Sequence, residues 1–173
     1  MRMLDQHYPV RDIPLAIEDY ALIGDCRTAA LVGRDGAIDR LCLPRFDSPA
    51  CFAALLGARR NGSWLIAPQH DAPQVRRSYR GATLILETTF TTSEGEVALI
   101  DAMPLGLFGS HIIRRVEGRR GRVAMRFHLK LRFDFGGSTP WVMRDGDGTG
   151  ILAIAGPDLV TVRGPVDFSW GAT

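Results

Sequence analysis

The sequence predicts an all-β protein, an antiparallel β-sandwich with one short helix. Three observations lead there. Roughly ten short stretches are alternating or rich in Val, Ile, Leu, Thr and Phe. Clusters of Gly, Asp, Ser and Pro separate them at short intervals, as turns between strands do. No long amphipathic helical pattern alternates with them, which excludes a nucleotide-binding α/β sheet.

Residues 1–16 read as a leader, broken by Pro9 and Pro14, and residues 17–173 as the sandwich domain. Ala29–Val32 and Ala37–Leu43 flank Gly33-Arg34-Asp35-Gly36, a hairpin turn whose residues tolerate positive φ. A short helix is expected after Pro44-Arg45-Phe46-Asp47. Ser48 supplies an N-cap, Pro49 suits the first helical position, Cys51–Leu56 is apolar and Gly57 suits the stop. Strands are then expected at Trp64–Ala67, Thr83–Thr91 and Val97–Ala102, the last two joined through Ser93-Glu94-Gly95-Glu96. Ile112–Val116 is expected to reach a turn at Glu117–Gly121. The clearest alternation is Arg122–Phe133, with Val123, Met125, Phe127, Leu129, Leu131 and Phe133 on one face and Arg126, His128, Lys130 and Arg132 on the other. Trp141–Arg144, Ile151–Ala155, Leu159–Arg163 and Val166–Trp170 complete the strands. Asp167–Thr173 still reads as strand, so the chain is expected to stop inside a fold.

The chain has 173 residues, room for one domain, and its 46% hydrophobic residues argue against disorder. Lys plus Arg is 21 and Asp plus Glu is 19, a balance that disfavours a dedicated nucleic-acid binder. The three cysteines, Cys26, Cys42 and Cys51, make no disulfide framework or zinc spacing and fit reduced thiols in the cytoplasm. No apolar run is long enough to span a membrane, and the N-terminus lacks the apolar stretch of a signal peptide.

Asp145-Gly146-Asp147-Gly148-Thr149-Gly150 invites a calcium-loop reading, but its twelfth position is Gly156, where a bidentate Glu is required. A hairpin turn is the stronger reading. Arg114-Arg115 and Arg119-Arg120-Gly121-Arg122 read as a solvated hairpin tip. His7, His70, His111 and His128 include no short-spaced pair, so neither a metal nor another cofactor is expected. Among the carboxylates Glu18, Asp19, Asp25, Asp35, Asp39, Asp47, Glu87 and Asp101, spacing alone identifies no acid and base pair of the kind sugar hydrolysis needs.

The most distinctive stretch runs from Leu22-Ile23-Gly24-Asp25-Cys26-Arg27-Thr28 to Gly36-Ala37-Ile38-Asp39-Arg40-Leu41-Cys42-Leu43-Pro44-Arg45-Phe46-Asp47-Ser48-Pro49. It closely resembles the N-terminal domain of the trehalase-like and bacterial glucoamylase-like glycoside hydrolases of family fifteen. Later blocks agree in order: Gly62-Ser63-Trp64, Leu86-Glu87-Thr88-Thr89-Phe90, Asp101-Ala102-Met103-Pro104, Arg114-Arg115-Val116-Glu117-Gly118 and Pro140-Trp141-Val142. The resemblance implies a supersandwich-like β-sandwich that precedes an (α/α)6 barrel carrying two catalytic glutamates, and an inverting α-glucosidase reaction in the parent enzyme. Nothing in this chain matches those catalytic positions.

The expected function is therefore that of a non-catalytic domain that braces the barrel and lends a loop to the pocket. The pocket-rim candidates are Arg40, Arg45, Phe46 and Asp47. In relatives a Trp typically stands where this chain has Arg40, either as an aromatic wall near the sugar or as packing. Arg45 and Asp47 offer hydrogen bonds to hydroxyls and Phe46 a face for sugar C–H groups. Asp47 and Ser48 have the competing role of capping the expected helix. The expected partners are the helical domain and, through it, an α-glucoside substrate. The alternatives are a free-standing carbohydrate-binding module, which needs a row of exposed aromatics, and an oligomerisation module pairing through open strand edges.

Overall fold

The computed structural model describes residues 13–69, 73–106 and 108–168. Those residues form thirteen strands and four single-turn 3-10 segments. The strands are β1 (Tyr20–Gly24), β2 (Ala29–Gly33), β3 (Ala37–Cys42), β4 (Ala50–Phe52), β5 (Ser63–Pro68), β6 (Gln74–Tyr79), β7 (Leu86–Thr91), β8 (Gly95–Ala102), β9 (Ile113–Gly121), β10 (Met125–Lys130), β11 (Trp141–Arg144), β12 (Gly150–Ala155) and β13 (Asp158–Arg163). All pairings among them are antiparallel.

Three sheets result. The largest has the order β1-β2-β3-β5-β10, with β4 also on β3; the others are β6-β7-β8-β9 and β11-β12-β13. One face of the largest sheet contributes Ile23, Ala30, Val32, Ile38 and Leu41 to a core closed by Leu86, Met103, Leu131, Phe133 and, from the three-stranded sheet, Ile151, Ala153 and Val162. A second cluster, Ile66, Phe90, Val97 and Leu99, joins the four-stranded sheet to β5. Inward-facing apolar side chains from stacked sheets define a sandwich.

The β2–β3 hairpin forms where expected. Gly36 donates to the Gly33 carbonyl at 2.9 Å and adopts φ +83°. A Cβ at Gly36 would stand 2.2 Å from the Ile66 carbonyl oxygen, so only glycine fits.

An ion pair links two sheets from inside. Arg114 of β9 donates to both oxygens of Asp101 on β8, at 2.8 and 3.3 Å, and both side chains are fully buried. Its guanidinium also donates to the carbonyls of Trp64 on β5 and Gly36 in the β2–β3 turn, and lies 5.1 Å from the Trp64 ring centre. Four oxygens thus accept from the guanidinium, the kind of compensation that a buried ion requires.

The expected helix after Ser48 is not there. Ala50–Phe52 is a strand on β3, with Leu41 opposite Phe52 and Cys42 opposite Ala50, and only a 3-10 turn follows at Ala54–Leu56. The Ser48 hydroxyl accepts from the Arg45 N–H at 3.1 Å, while Gly57 ends the 3-10 turn by donating its N–H to the Ala54 carbonyl at 3.1 Å. The segment is apolar all round, so an isolated two-turn helix would expose half of it and nucleate poorly. Pairing with β3 instead buries Ala50, Cys51, Phe52, Ala53 and Ala54.

Three further expectations change. The turn at Glu117–Gly121 lies within β9, where a register shift opposite Glu96 and Val97 marks a bulge; Gly118 and Gly121 signal that bulge and the strand end. The alternating strand Arg122–Phe133 is regular only over Met125–Lys130, although Leu131 and Phe133 stay buried on the expected face. Val166–Phe168 is not strand, and Ser169 and Trp170 lie outside the described residues, as do residues 1–12 of the leader. Strands β1, β4 and β6 were not anticipated. The largely exposed β6, with Arg76 and Arg77, shows no apolar alternation to read.

Candidate functional site

The site is built from loops at one end of the largest sheet. The β1–β2 loop turns on Asp25, whose Oδ1 accepts from the N–H groups of Arg27 and Thr28, both at 2.9 Å. This lets Cys26 adopt φ 68°. Burial works to raise the Asp25 carboxyl, but the bonds from Thr28, Ser110 and Arg27 outweigh it and hold the carboxyl below its ordinary value. The Thr28 hydroxyl donates to the Cys42 carbonyl at 2.6 Å, fixing this loop to the end of β3.

The following loop, Leu43 to Ser48, leaves β3 through a cis Leu43–Pro44 bond. It is tied at three points. Phe46 N–H donates to the Arg27 carbonyl at 3.0 Å, Ser48 N–H to the Arg45 carbonyl at 3.1 Å, and the Ser110 hydroxyl to the Pro44 carbonyl at 3.3 Å. The loop after β8 thus joins the same end. It carries Phe108, which is fully exposed, and His111, whose Nε2 lies 2.9 Å from the Phe108 carbonyl oxygen.

The four rim candidates divide into two pairs. Arg45 and Asp47 form a bidentate ion pair, Nε to Oδ1 at 2.9 Å and Nη2 to Oδ2 at 2.7 Å, with both side chains exposed. Asp47 caps no helix. Arg40 and Phe46 meet in a groove of about 120 Å³, lined also by Leu22, Ala29, Leu31, Cys42 and Leu55. Phe46 is 66% exposed over it. The Arg40 guanidinium lies 5.6 Å from the ring centre of Phe135.

Phe135 is a residue that sequence reasoning missed. Asp134 (φ 51°), Phe135 (φ 55°) and Gly136 (φ 102°) all occupy the left-handed region. Two consecutive non-glycine residues there are strained, and strain of this kind concentrates where surrounding structure fixes a side chain for use. The signal available was Asp-Phe-Gly-Gly directly after the strongest strand. Ser110 carried no signal, since its role comes from a contact across more than sixty residues of sequence.

The other sequence candidates resolve structurally. Asp145 accepts from Gly150 N–H at 3.0 Å and Arg163 Nε at 2.8 Å, while Asp147 accepts from Thr149 N–H at 2.9 Å and its hydroxyl at 2.6 Å. The loop is a self-satisfied hairpin turn, and no group of three metal-ligating side chains occurs among the described residues. Arg80, Arg115 and Arg119 pair with Glu87 and Glu117 across the outer face of the four-stranded sheet. Within the basic cluster, Arg115 and Arg119 thus join a strand-borne set of ion pairs and Arg114 is buried on Asp101, so these three are not a solvated hairpin tip. Each of six acidic groups has its own partner: Asp19 with Arg34, Asp35 with Arg59, Asp39 with the Tyr20 hydroxyl, Asp47 with Arg45, Glu87 with Arg80 and Asp101 with Arg114. Of the tryptophans and tyrosines that a carbohydrate-binding face would use, Trp64 packs against Phe127, while the Tyr20 and Tyr79 hydroxyls are bound to Asp39 and Leu22 and Trp141 is exposed. Tyr8, Trp170, His7 and His70 lie outside the described residues. No helix among them is long and apolar enough to cross a membrane.

Comparison with known proteins gives one coherent result. A family model described as trehalase-like, N-terminal, matches residues 10–169. Trehalase 1 of Sulfolobus acidocaldarius is 36% identical over 138 residues, covering 80% of this chain and 23% of that protein. The trehalase of Mycobacterium tuberculosis is 33% identical over 132 residues, covering 75% of this chain and 19% of that protein. The trehalase of Mycolicibacterium smegmatis is 38% identical over 90 residues, covering 52% of this chain and 13% of that protein. The chain spans about a fifth of the length of the curated relatives it matches over most of its own length. No solved structure matches.

Proposed function

The chain belongs to the trehalase-like N-terminal family, and on that premise we propose that it is the non-catalytic β-sandwich domain of an inverting α-glucoside hydrolase. Its role is to brace a C-terminal helical catalytic domain and to lend the Pro44–Pro49 loop to the rim of the substrate pocket. Trehalose is the favoured substrate class, because the matched relatives are trehalases; an α-glucan is the alternative.

The observation that carries this reading is the tethered loop. It projects Phe46 and the Arg45–Asp47 fork from one end of the sandwich, beside an apolar groove with one cation, Arg40. An aromatic face and paired polar groups on a rigid turn suit a sugar ring approached from a second domain. Free Cys26, Cys42 and Cys51 support a reducing, cytoplasmic location. The carboxylates with partners already in place support a non-catalytic role, since acid and base catalysis needs two that face a substrate.

The test is calorimetric titration of the chain with trehalose and maltotriose, alongside an assay of glucose release. A rim without its pocket should give no measurable heat and no glucose. Saturable heat would favour the free-standing carbohydrate-binding reading, and glucose release that survives repurification would overturn the non-catalytic one.

A further inference from the structure

The groove beside the Pro44–Pro49 loop is floored by a row that crosses three strands. Leu22, Leu31 and Arg40 stand opposite one another on β1, β2 and β3. Pleating sets them on the outer face, since Ile23, Ala30 and Leu41 enter the core. Phe46 and Leu55, from the segments before and after β4, complete the walls. Arg40 is half-buried there, and among the described residues no carboxylate or carbonyl accepts from its guanidinium. Arg45, Arg59, Arg80 and Arg114, by contrast, each hold a carboxylate. The Phe135 ring, 5.6 Å from the Arg40 guanidinium, steadies the charge from a turn with two consecutive left-handed residues. A ring contact leaves the forked N–H donors unspent.

We propose that this groove is the socket for a glutamate side chain of the helical domain, with its methylenes along the apolar walls and its carboxylate on the Arg40 fork. Chemistry and size choose that occupant. The groove side chains present a donor fork, apolar surface and the Cys42 thiol, but no strong acceptor. A sugar hydroxyl entering it would bury a donor without a partner, whereas a carboxylate only accepts. The space is about 120 Å³, well below the ~300 Å³ of a small-molecule pocket, so it admits one side chain and not a disaccharide. The free donors carry a positive charge, so the apolar stem that fills the groove must end in an anion. Aspartate fits less well, because its stem is a single methylene. The source of the side chain rests on the proposed function. The groove adjoins the loop that this reading sets against the helical domain, and the chain spans about a fifth of the length of the relatives it matches over most of its own.

Methyl NMR of the chain at constant ionic strength tests it with N-acetylglutamate methylamide, its glutamine counterpart and acetate. The blocked glutamate should shift the Leu22 and Leu31 methyls saturably by about 100 mM, a reach suited to one ion pair at a half-open site. The glutamine, without charge, and acetate, without stem, should each bind about fivefold or more weakly. Arg40→Gln should abolish the preference for glutamate over glutamine, and Arg40→Lys, which keeps the charge without the fork, should retain part of it. Ile23 and Ile38 methyl signals matching the unsubstituted chain show that each variant is folded. In the parent-length protein the socket is already filled, so the blocked glutamate should leave Leu22 and Leu31 unshifted. No shift in the chain, equal responses to the three probes, or a glutamate preference that survives Arg40→Gln overturns the inference. So does a shift in the parent-length protein as large as in the chain. Those outcomes leave the proposed function standing; saturable trehalose heat with the glutamate preference intact sinks that function and keeps the carboxylate socket.

Discussion

The Tyr79 hydroxyl closes the backbone of Leu22: it donates to the Leu22 carbonyl at 2.8 Å and accepts from the Leu22 N–H at 3.0 Å. Leu22 sits on β1, at the edge of the largest sheet, and Tyr79 on β6 of another. An edge residue's outward N–H and C=O are the groups that would recruit a further strand. One side chain satisfies both, so β1 is guarded in the middle of its length while two sheets are stitched together.

Tyr79→Phe should therefore lower stability by about 1 kcal/mol, the net worth of a partly exposed hydrogen bond. Urea unfolding measures the loss. Amide exchange at Leu22 should speed up while that of the buried Ile23 stays slow; equal protection in both proteins would show that the hydroxyl does not guard this edge.

The buried Arg114–Asp101 pair predicts strong non-additivity. Arg114→Met leaves the Asp101 carboxylate buried without its counter-ion, and the Trp64 and Gly36 carbonyls without a donor. The expected cost is about 3–5 kcal/mol, whereas the double variant Arg114→Met, Asp101→Leu should recover a large part of it. A double variant as unstable as the sum of the two singles would contradict the pairing.

The hairpin turn at Asp147 predicts an acid-sensitive element. Bonds from the Thr149 hydroxyl and N–H hold its carboxyl at about 2, below the ordinary 3.8. A carboxyl lowered in the folded state contributes stability that is complete above its ordinary value and is lost as pH falls through about 2. Carboxyl-carbon NMR should place the Asp147 midpoint near 2, and Thr149→Ala should raise it. An unchanged midpoint in that variant would mean that Thr149 is not the cause.

Thiol reactivity should rank by burial. Burial pushes the Cys51 thiol up to about 12 and raises that of Cys42, while Cys26 is exposed. Iodoacetamide at pH 8 should alkylate Cys26 alone in the native chain and all three cysteines in urea, as read by mass spectrometry. Rapid native labelling of Cys51 would show that the β3–β4 pairing opens readily.

Local pattern reached furthest where a segment's neighbours are close in sequence. Gly33-Arg34-Asp35-Gly36 specified its own hairpin, because Gly36 must take positive φ whatever the rest of the fold does. The apolar face of Met125–Lys130 was legible for the same reason, since pleating alone assigns it. Ser48 and Pro49 misled, because start signals worth about 1 kcal/mol each compete with pairing on β3, and pairing partners are invisible to a local window, whereas Gly57 does end the short turn Ala54–Leu56. Among the rim candidates, the Arg45–Asp47 fork is a two-residue relationship and was within reach. The meeting of Arg40 with Phe46 and Phe135 was not, because it joins a strand, a loop and a strained turn nearly a hundred residues apart.

The amino-acid sequence by itself determined an antiparallel β architecture, the β2–β3 hairpin, the family and the Pro44–Pro49 loop as the place to look, since alternation, turn chemistry and a contiguous motif are local properties of the chain. Tertiary structure alone decided which strands share a sheet, that Asp101 and Arg114 neutralise one another, that Tyr79 guards Leu22, and that Trp141 faces outward beside Leu159. The physical reason is that burial, ion pairing and edge protection belong to groups brought together only when distant strands pack, and their free energy depends on that shared environment and not on the residue alone.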